Sequence, residues 1–556
     1  MTPLTATFKK GLALHQRGRF ADAERAYAQV LRQQPAHFDA LHLMGVVALQ
    51  TGRSKRGVEL IDQAIKVNGR VAAAHGNRGN GLSALQRPEE AIASYDRAIA
   101  LDPAYAGAHD NRGVALAVLG RHEEALTCHD RAIALKPDLA EAHFNRGNVL
   151  LSLERPEEAL ASFDQALALR PDLADAHYNR GNTLRDLGRP ADAIASYDRA
   201  IALRPDFRWT HYNRGNALRD LQRHEEAITS YSSAVALHAD FAEAHWNQSL
   251  CYLTLGDYER GWAQHEWRWR AELAHARPDL PGLPWLGDST VDGKTVLVVA
   301  EQGLGDSLQF CRYATLLGER ARVVLEVPRT LRRLLDGMPG VSQVVAAGDA
   351  RPPFDVWTSM MSLPLAFRTT CATIPSAVPY LRANPDQVEA WRGRVASMPG
   401  RKVGLVWAGS ARLGDPRGNS LDSRRSVTLQ HLAPLAGIPG LCLVSLQKGE
   451  PAAQASTPPA GLVLHDWTSE LSDFADTAAL VEALDLVISV DTSVVHVAGA
   501  LGKPVWVLNR FDQCWRWLRD RADSPWYPTA RLFQQQRPGD WSGVIERVAE
   551  ALRAEI

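Results

Sequence analysis

Small and bulky apolar residues recur with a 34-residue period through the first half of the chain. Each unit has a glycine, a small residue twelve positions later and, in most units, an aromatic residue four positions beyond that. Small residues let two antiparallel helices approach closely, and the bulky residue fills the groove between them. The pattern therefore predicts stacked helix pairs over 4–270, in seven clear units and a degenerate eighth. The glycines are Gly11, Gly45, Gly79, Gly113, Gly147, Gly181 and Gly215.

A different pattern begins after a Pro/Gly-rich stretch at 271–294, which we interpret as a linker. Short apolar runs there alternate with helical patterns, which predicts parallel sheets covered by helices on both faces. We expect two doubly wound, Rossmann-like lobes, at 295–395 and 400–540, and a final helix within 541–556. The predicted strands are 295–300, 323–327, 341–346 and 354–359 in the first lobe, and 402–407, 441–447, 462–465, 484–490 and 504–509 in the second.

Composition narrows the choice of partners. The 556 residues include 62 Lys+Arg and 63 Asp+Glu, and this near-neutral balance argues against a nucleic-acid polymer as partner. No uncharged apolar run reaches the length of a membrane span, and the first residues lack the layout of a signal peptide. The 6 cysteines form no Cys-x-x-Cys pair, which favours reduced thiols and no zinc site. We therefore expect a cytoplasmic protein.

The first helix of each pair carries a column of asparagines. An asparagine amide both donates and accepts, so such a column could hold the backbone of an extended acceptor peptide. The alternative is that the amides only link neighbouring helices. Four aspartates in the second helices are interpreted as a solvated face or as ion pairs between repeats. The asparagines are Asn77, Asn111, Asn145, Asn179, Asn213 and Asn247, and the aspartates are Asp96, Asp130, Asp164 and Asp198.

Three motifs follow predicted strands of the second half, where ligands of such sheets bind. The first contains Gly303, Gly305 and Asp306. The glycines allow close backbone approach, and the next helix offers N–H groups to a phosphate. Asp306 is either a helix N-cap or a general base directed into the cleft.

The second motif begins at Asp491, where a buried strand ends and Thr492 and Ser493 start a helix. Hydroxyl groups, backbone N–H groups and the helix dipole suit a phosphate at this place. His496 lies about one turn into the helix and could donate to a phosphate oxygen. The alternative interpretation is that His496 is a buried histidine packed at the edge of the sheet.

The third motif places Ser410 after the first strand of the second lobe, with Arg424 and Arg425 at the start of a helix. Arginine offers forked donors to phosphate, although a surface arginine pair is the alternative. Gln447, at a strand end, is a further candidate contact for the nucleotide. Trp515, Trp517, Trp526 and Tyr527 are expected to pack in the core rather than to stack on a sugar.

These residues carry two resemblances. The first half resembles the tetratricopeptide repeat, and its asparagine column resembles that of eukaryotic O-linked N-acetylglucosamine transferase, which is also a repeat array fused to a transferase. Residues 290–540 resemble the ADP-heptose:lipopolysaccharide heptosyltransferases, which have the glycosyltransferase-B fold and use no metal. That resemblance implies Asp306 as catalytic base, Asp491, Thr492 and Ser493 at the diphosphate, and Arg425 on phosphate. The sequence departs from the family at Ser493, where glycine is usual, and lacks its Trp-Pro after the basic residue.

The whole layout is also similar to bacterial TPR-fused transferases that modify flagellin. The sequence thus predicts an inverting glycosyltransferase that moves a sugar from a nucleotide-sugar to Ser/Thr hydroxyls of a protein held by the repeats. No cofactor and no metal are expected. Two alternatives stay open: an enzyme acting on a glycan or lipid, and a non-catalytic repeat scaffold with a degenerate transferase domain.

Overall fold

The computed structural model describes residues 2–271, 273–409 and 422–556. The chain divides into two compact units, 1–217 and 218–556. The sequence predicted the change of architecture at the linker, 271–294, whereas the division at 217/218 places the last helices of the repeat region with the α/β part. Trp285 in the predicted linker is also buried, and its backbone N–H donates to the Trp357 carbonyl at 2.7 Å.

The repeat region consists of helix pairs, as its period predicts. Gly147 and Gly181 explain the recurring glycine, because a methyl group there would lie 2.6 Å from Phe163 and 2.5 Å from Tyr197. The helices of this region are α1 (Pro3–Gln16), α2 (Phe20–Gln33), α3 (Phe38–Gln50), α4 (Ser54–Val67), α5 (Ala72–Ala84), α6 (Pro88–Leu101), α7 (Ala106–Val118), α8 (His122–Leu135), α9 (Ala140–Ser152), α10 (Pro156–Leu169), α11 (Ala174–Asp186), α12 (Pro190–Leu203), α13 (Arg208–Asp220), α14 (His224–Leu237), α15 (Ala242–Thr254) and α16 (Tyr258–His265).

Ion pairs join consecutive repeats. Arg146 on α9 reaches back to Asp130 on α8 at 2.7 Å, and Arg180 on α11 reaches Asp164 on α10 at 2.6 Å. The same pairing recurs at Asp96 and Asp198. The interpretation of the aspartate column as ion pairs between repeats is confirmed.

The first lobe is a parallel sheet of four strands in the order β3-β2-β1-β4. Most buried positions of its strands are apolar, as in sheets covered on both faces. The strands are β1 (Thr295–Val299), β2 (Arg322–Val327), β3 (Val341–Ala346) and β4 (Val356–Ser359), and the helices are α17 (Leu304–Phe310), α18 (Arg312–Leu317), α19 (Arg329–Leu335) and α20 (Leu363–Ala366). Each predicted strand of this lobe is present.

The second lobe is a parallel sheet of six strands in the order β10-β9-β8-β5-β6-β7. Its outermost strand, β10, was not predicted from the sequence. The strands are β5 (Arg401–Val406), β6 (Leu441–Ser445), β7 (Leu464–Asp466), β8 (Leu486–Val490), β9 (Val505–Asn509) and β10 (Ala530–Gln534). The described helices of the connector and the second lobe are α21 (Pro385–Ala396), α22 (Phe474–Glu482), α23 (Ser493–Ala500) and α24 (Trp541–Glu555).

The core of the second compact unit includes residues of the repeat helices as well as residues of the α/β part. Tyr258 and Trp262 of α16 share one apolar cluster with Phe310 and Trp526. Trp515, Trp517, Trp526 and Tyr527 are all at most 7% exposed, so the prediction that they pack in the core is confirmed. Residues of α15 and α16, the eighth helix pair, thus share apolar burial with the α/β part of the second unit.

Candidate functional site

The loop after β1 holds the first predicted motif. Asp306 is the third residue of α17, and its Oδ2 accepts a hydrogen bond from the Gly303 N–H at 2.8 Å. Asp306 therefore caps α17 from the third position of the helix, whereas the N-cap position, which the sequence alternative gave to Asp306, is held by Gly303. Its Oδ1 forms an ion pair with Arg516, a residue of the loop after β9. Both oxygens of the candidate base are thus engaged by protein groups.

Gly305 allows His496 to pack closely against α17. A methyl group at Gly305 would lie 2.7 Å from His496 Cδ2 and 3.2 Å from Nε2. The second glycine of the motif therefore brings α17 against α23, and with it joins the first lobe to the second. The sequence assigned this glycine to phosphate binding, and the structure adds a steric reason for it.

The loop after β8 starts α23 at the second motif. Thr492 is the N-cap residue of this helix, and among the described residues no side chain caps its first turn. The Thr492 hydroxyl lies 3.0 Å from Ser489 Oγ, which fixes it at the strand end. Asp491, Thr492, Ser493 and His496 all line one cavity together with Gly303, Gly305 and Asp306.

Arg425 reaches the same cavity from the third motif. Its Nη1 donates to the Asp491 carbonyl at 3.0 Å, and it also pairs with Asp422. Gly409 lies directly beneath it, since a methyl group there would be 2.6 Å from Arg425 Nη2. Arg424 instead pairs with Asp512, and its side chain is 53% exposed. Ser410 lies outside the described residues.

Gln447 lines the cavity but has its amide fully engaged. Its Oε1 accepts from the Trp407 and Ala408 N–H groups at 3.0 and 2.8 Å, and its Nε2 donates to the Ala408 and Lys448 carbonyls. An amide with all these bonds made holds the ends of β5 and β6 together. The side chain thus positions the cavity wall rather than offering a further donor or acceptor to a nucleotide.

The cavity has a volume of ≈ 870 Å³ and lies at the carboxyl ends of both sheets. Three of its basic residues were not among the sequence candidates: Lys448, Arg510 and Arg516. Lys448 is held by the carbonyls of Thr468 and Leu471 at 2.7 and 2.9 Å. Arg510 directs its Nε to Asp512, at 2.9 Å from the carbonyl and 3.2 Å from the carboxylate. Arg510 and Arg516 follow β9, so the strand-end rule that found the other motifs could have found them.

Two buried groups have strongly shifted acidities. Burial, with Arg312 nearby and partly opposed by Asp491, lowers the pKa of His496 to about 4. Burial also lowers the pKa of the Arg516 guanidinium to about 10. His496 is therefore a neutral imidazole near pH 7, and Arg516 stays charged.

The asparagine column links repeats to each other. Asn179 Nδ2 donates to Asn148 Oδ1 at 2.7 Å, and Asn213 Nδ2 donates to Asn182 Oδ1 at 2.9 Å. Asn77, Asn111 and Asn145 likewise use Nδ2 toward the preceding repeat, and Asn247 is buried at 8% exposure. The inter-helix interpretation of this column is confirmed, and the peptide-holding role stays a prediction.

Comparison with known proteins decides the nature of the first half. Models described as tetratricopeptide repeat match residues 8–74, 104–172 and 144–206, and a model described as TPR repeat matches 79–120 and 215–256. The repeats are tetratricopeptide repeats. These segments fall within the predicted 4–270, and the predicted array of all-helical repeats is confirmed.

One curated relative resembles more of the chain. Protein FlbA of Caulobacter vibrioides is 30% identical over 327 residues, which is 54% of this chain and 53% of FlbA. The chain therefore spans about half the length of this relative.

Solved structures with similar repeats include YrrB, described as a TPR protein with an unusual peptide-binding site, at 26% identity and a TM-score of 0.31 over 34% of this chain and 96% of that one. A thermophilic TPR protein of Thermus thermophilus is 23% identical with a TM-score of 0.29, over 33% of this chain and 98% of its own. Within the described residues, no helix combines the length and apolar character needed to cross a bilayer.

Proposed function

We propose that this chain is a metal-independent, inverting glycosyltransferase with two glycosyltransferase-B-like lobes, and that its repeats capture the acceptor protein. The observation that carries the proposal is the cavity shared by both lobes. The second lobe lines this cavity with the start of α23, including His496, and with Arg425 and Arg510, and the first lobe contributes Asp306. A helix N-terminus with arginines nearby is suited to an anionic leaving group.

The reaction we propose replaces one bond to the anomeric carbon by another and transfers one proton. The acceptor hydroxyl oxygen attacks the anomeric carbon of a nucleotide-sugar, and its proton passes to Asp306. The bond from that carbon to the phosphate oxygen breaks, and the electron pair leaves with the nucleotide. Arg425, His496 and the start of α23 stabilise the charge that develops on the phosphate.

The acceptor side is proposed from the repeats. In the asparagine column from Asn77 to Asn179, each Nδ2 contacts the preceding repeat. Each Oδ1 would therefore accept a hydrogen bond from a backbone N–H of the bound peptide. Trp246 of α15 lines the same cavity as Asp306. A segment lying along α15 would thus bring a Ser/Thr hydroxyl toward the candidate base.

One observation favours a second candidate, the non-catalytic scaffold. Arg516 pairs with Oδ1 of Asp306 and the Gly303 N–H donates to Oδ2, so the ion pair opposes transfer of a proton to this carboxylate. If the ion pair persists when ligands are bound, the cavity lacks a base and the chain would act through its repeats alone.

Nucleotide binding is the first test. We expect one of UDP, ADP, GDP or CMP to raise the melting temperature of the full chain, and Arg510→Ala to reduce that rise. Arg537→Ala, which changes an exposed arginine outside the cavity, serves as the matched control. Stabilisation by none of the four nucleotides would favour the scaffold.

Transfer itself is tested by intact-mass analysis of proteins that co-purify with the full chain. A sugar-sized mass increment is expected with the natural chain and is expected to be lost with Asp306→Asn. An increment that persists in Asp306→Asn would remove Asp306 as base while leaving the transferase. An increment found on a glycan or lipid instead would move the acceptor to that class.

A further inference from the structure

His496 meets the cavity with only one of its two ring nitrogens. It lies on α23 and is 4% exposed, with its Cδ2–Nε2 edge toward Gly305. Its Nδ1 lies 2.9 Å from the hydroxyl of Tyr527, on the side away from that glycine. Which nitrogen carries the hydrogen therefore decides whether the cavity meets a donor or an acceptor.

Tyr527 is held in place by close packing. A methyl group at Gly499, three residues after His496 on the same helix, would lie 2.4 Å from the Tyr527 ring. The ring is fully buried, and the guanidinium of Arg312 lies 4.8 Å from its centroid. The tyrosine hydroxyl thus has one position against the histidine.

The neighbouring hydrogen bonds decide the direction of this contact. The Tyr380 hydroxyl donates its hydrogen to the Leu308 carbonyl at 2.8 Å and accepts from Arg312 Nη2 at 2.9 Å. The Tyr527 hydroxyl lies 3.4 Å from Tyr380 Oη but only 2.9 Å from His496 Nδ1. The Tyr380 hydroxyl therefore has no hydrogen to give to Tyr527, and His496 Nδ1 is the nearer of the two acceptors that the Tyr527 hydroxyl reaches. We take Nδ1 as the acceptor of the Tyr527 hydrogen.

Burial keeps the imidazole in its neutral form, against the opposing effect of Asp491. Arg312 adds a positive charge nearby. It is 3% exposed, and its described hydrogen bonds go to Gln309, Pro375 and Trp526 carbonyls and to Tyr380, not to a carboxylate. Its uncompensated charge opposes a second proton on the histidine. A neutral imidazole that accepts at Nδ1 carries its hydrogen on Nε2.

We infer that Tyr527 is a positioning residue that fixes the tautomer of His496, so that the Nε2–H donates into the cavity. The group that would accept this bond is an anionic oxygen, and its identification as a nucleotide phosphate rests on the proposed function. The histidine thus acts as a neutral, fixed donor beside the start of α23.

The tautomer is measured directly by nitrogen NMR on the full chain labelled with ¹⁵N-histidine. His496→Gln identifies the His496 signals by their loss. At neutral pH we expect Nδ1 to give an unprotonated, pyridine-type shift and Nε2 a protonated, pyrrole-type shift. The reverse assignment in the natural chain would overturn the inference.

Tyr527→Phe removes the hydroxyl and keeps the ring. We expect the two His496 tautomers to mix, whereas Tyr313→Phe, which removes a buried hydroxyl bound to Thr369, should leave the His496 signals unchanged. Unchanged signals in Tyr527→Phe would overturn the inference.

A double-mutant cycle then tests whether Tyr527 affects nucleotide affinity through His496. Tyr527→Phe is expected to weaken affinity for the stabilising nucleotide by roughly threefold to tenfold, the effect of one hydrogen bond, and to add nothing in the His496→Gln background. Independent, additive losses would overturn the positioning role. If no nucleotide binds, the proposed function fails, and the NMR result still decides the tautomer.

Discussion

Asp306 and His496 show that the same residue can serve the fold and the site together. Asp306 caps α17 and also faces the cavity, and His496 packs against Gly305 and also lines that cavity. Residue type and position were enough to predict both side chains at the site. The Arg516 ion pair and the Tyr527 contact were not predictable, because they join residues 210 and 31 positions apart.

The acidity of His496 predicts a pH dependence of stability. Its pKa is about 4 in the folded chain, against 6.5 for an ordinary solvated histidine, so the unfolded chain binds more protons between these values. The stability associated with this group is therefore complete above pH 6.5 and is lost as the pH falls toward 4. At pH 5 the loss amounts to about 2 kcal/mol of unfolding free energy.

We expect His496→Gln to show a smaller loss of stability between pH 7.5 and pH 5 than the natural chain, measured by urea unfolding at both values. His275→Gln, at an exposed histidine, is the control and should follow the natural chain. Equal losses in the natural chain and His496→Gln would show that His496 is not buried in its neutral form.

At the scale of elements, a buried charge cluster ties the end of the repeats to the first sheet. Arg268 follows α16, is fully buried and pairs with Glu301, which directly follows β1, at 2.8 Å. Glu266 accepts from Arg268 at 2.5 Å and from Ser362 at 2.8 Å. The cluster therefore fixes the residue from which the Gly303–Asp306 loop begins.

Removing one partner of this cluster leaves buried charge unpaired. We expect Arg268→Ala to lower the unfolding free energy by roughly 3–5 kcal/mol. Arg270, two residues further along the chain, has a side chain that is 64% exposed. Arg270→Ala should therefore change the unfolding free energy by less than about 0.5 kcal/mol. Urea unfolding of both variants measures the difference, and similar small effects would mean that the cluster does not hold the loop.

Sequence patterns predicted elements better than the contacts between them. The 34-residue period and the apolar runs predicted the repeat helices and nine of the strands, because burial on both faces leaves a continuous apolar run. The strand β10 was missed because its burial is interrupted by the exposed Arg531. The Arg268 cluster was missed because nothing local distinguishes a buried arginine from a surface one.

At the scale of the whole molecule, the units do not coincide with the two sequence patterns. The compact unit 218–556 includes α14, α15 and α16, although all three belong to the repeat pattern. Tyr258 of α16 accepts a hydrogen bond from the Trp526 indole at 3.1 Å, and Trp262 is 2% exposed within the same cluster. Stability of the α/β part therefore depends on residues that its own sequence pattern does not include.

This arrangement predicts where the chain can be cut. A fragment 208–556, which begins with α13, retains Tyr258, Trp262 and Arg268 and is expected to unfold in one cooperative transition. A fragment 271–556 begins at the predicted linker and exposes the apolar surface that these residues cover, so we expect it to aggregate or to melt at a much lower temperature. Scanning calorimetry and size-exclusion chromatography of the two fragments distinguish these outcomes. Equal stability would mean that α15 and α16 pack against the α/β part without stabilising it, and the boundary would then belong in the predicted linker, 271–294.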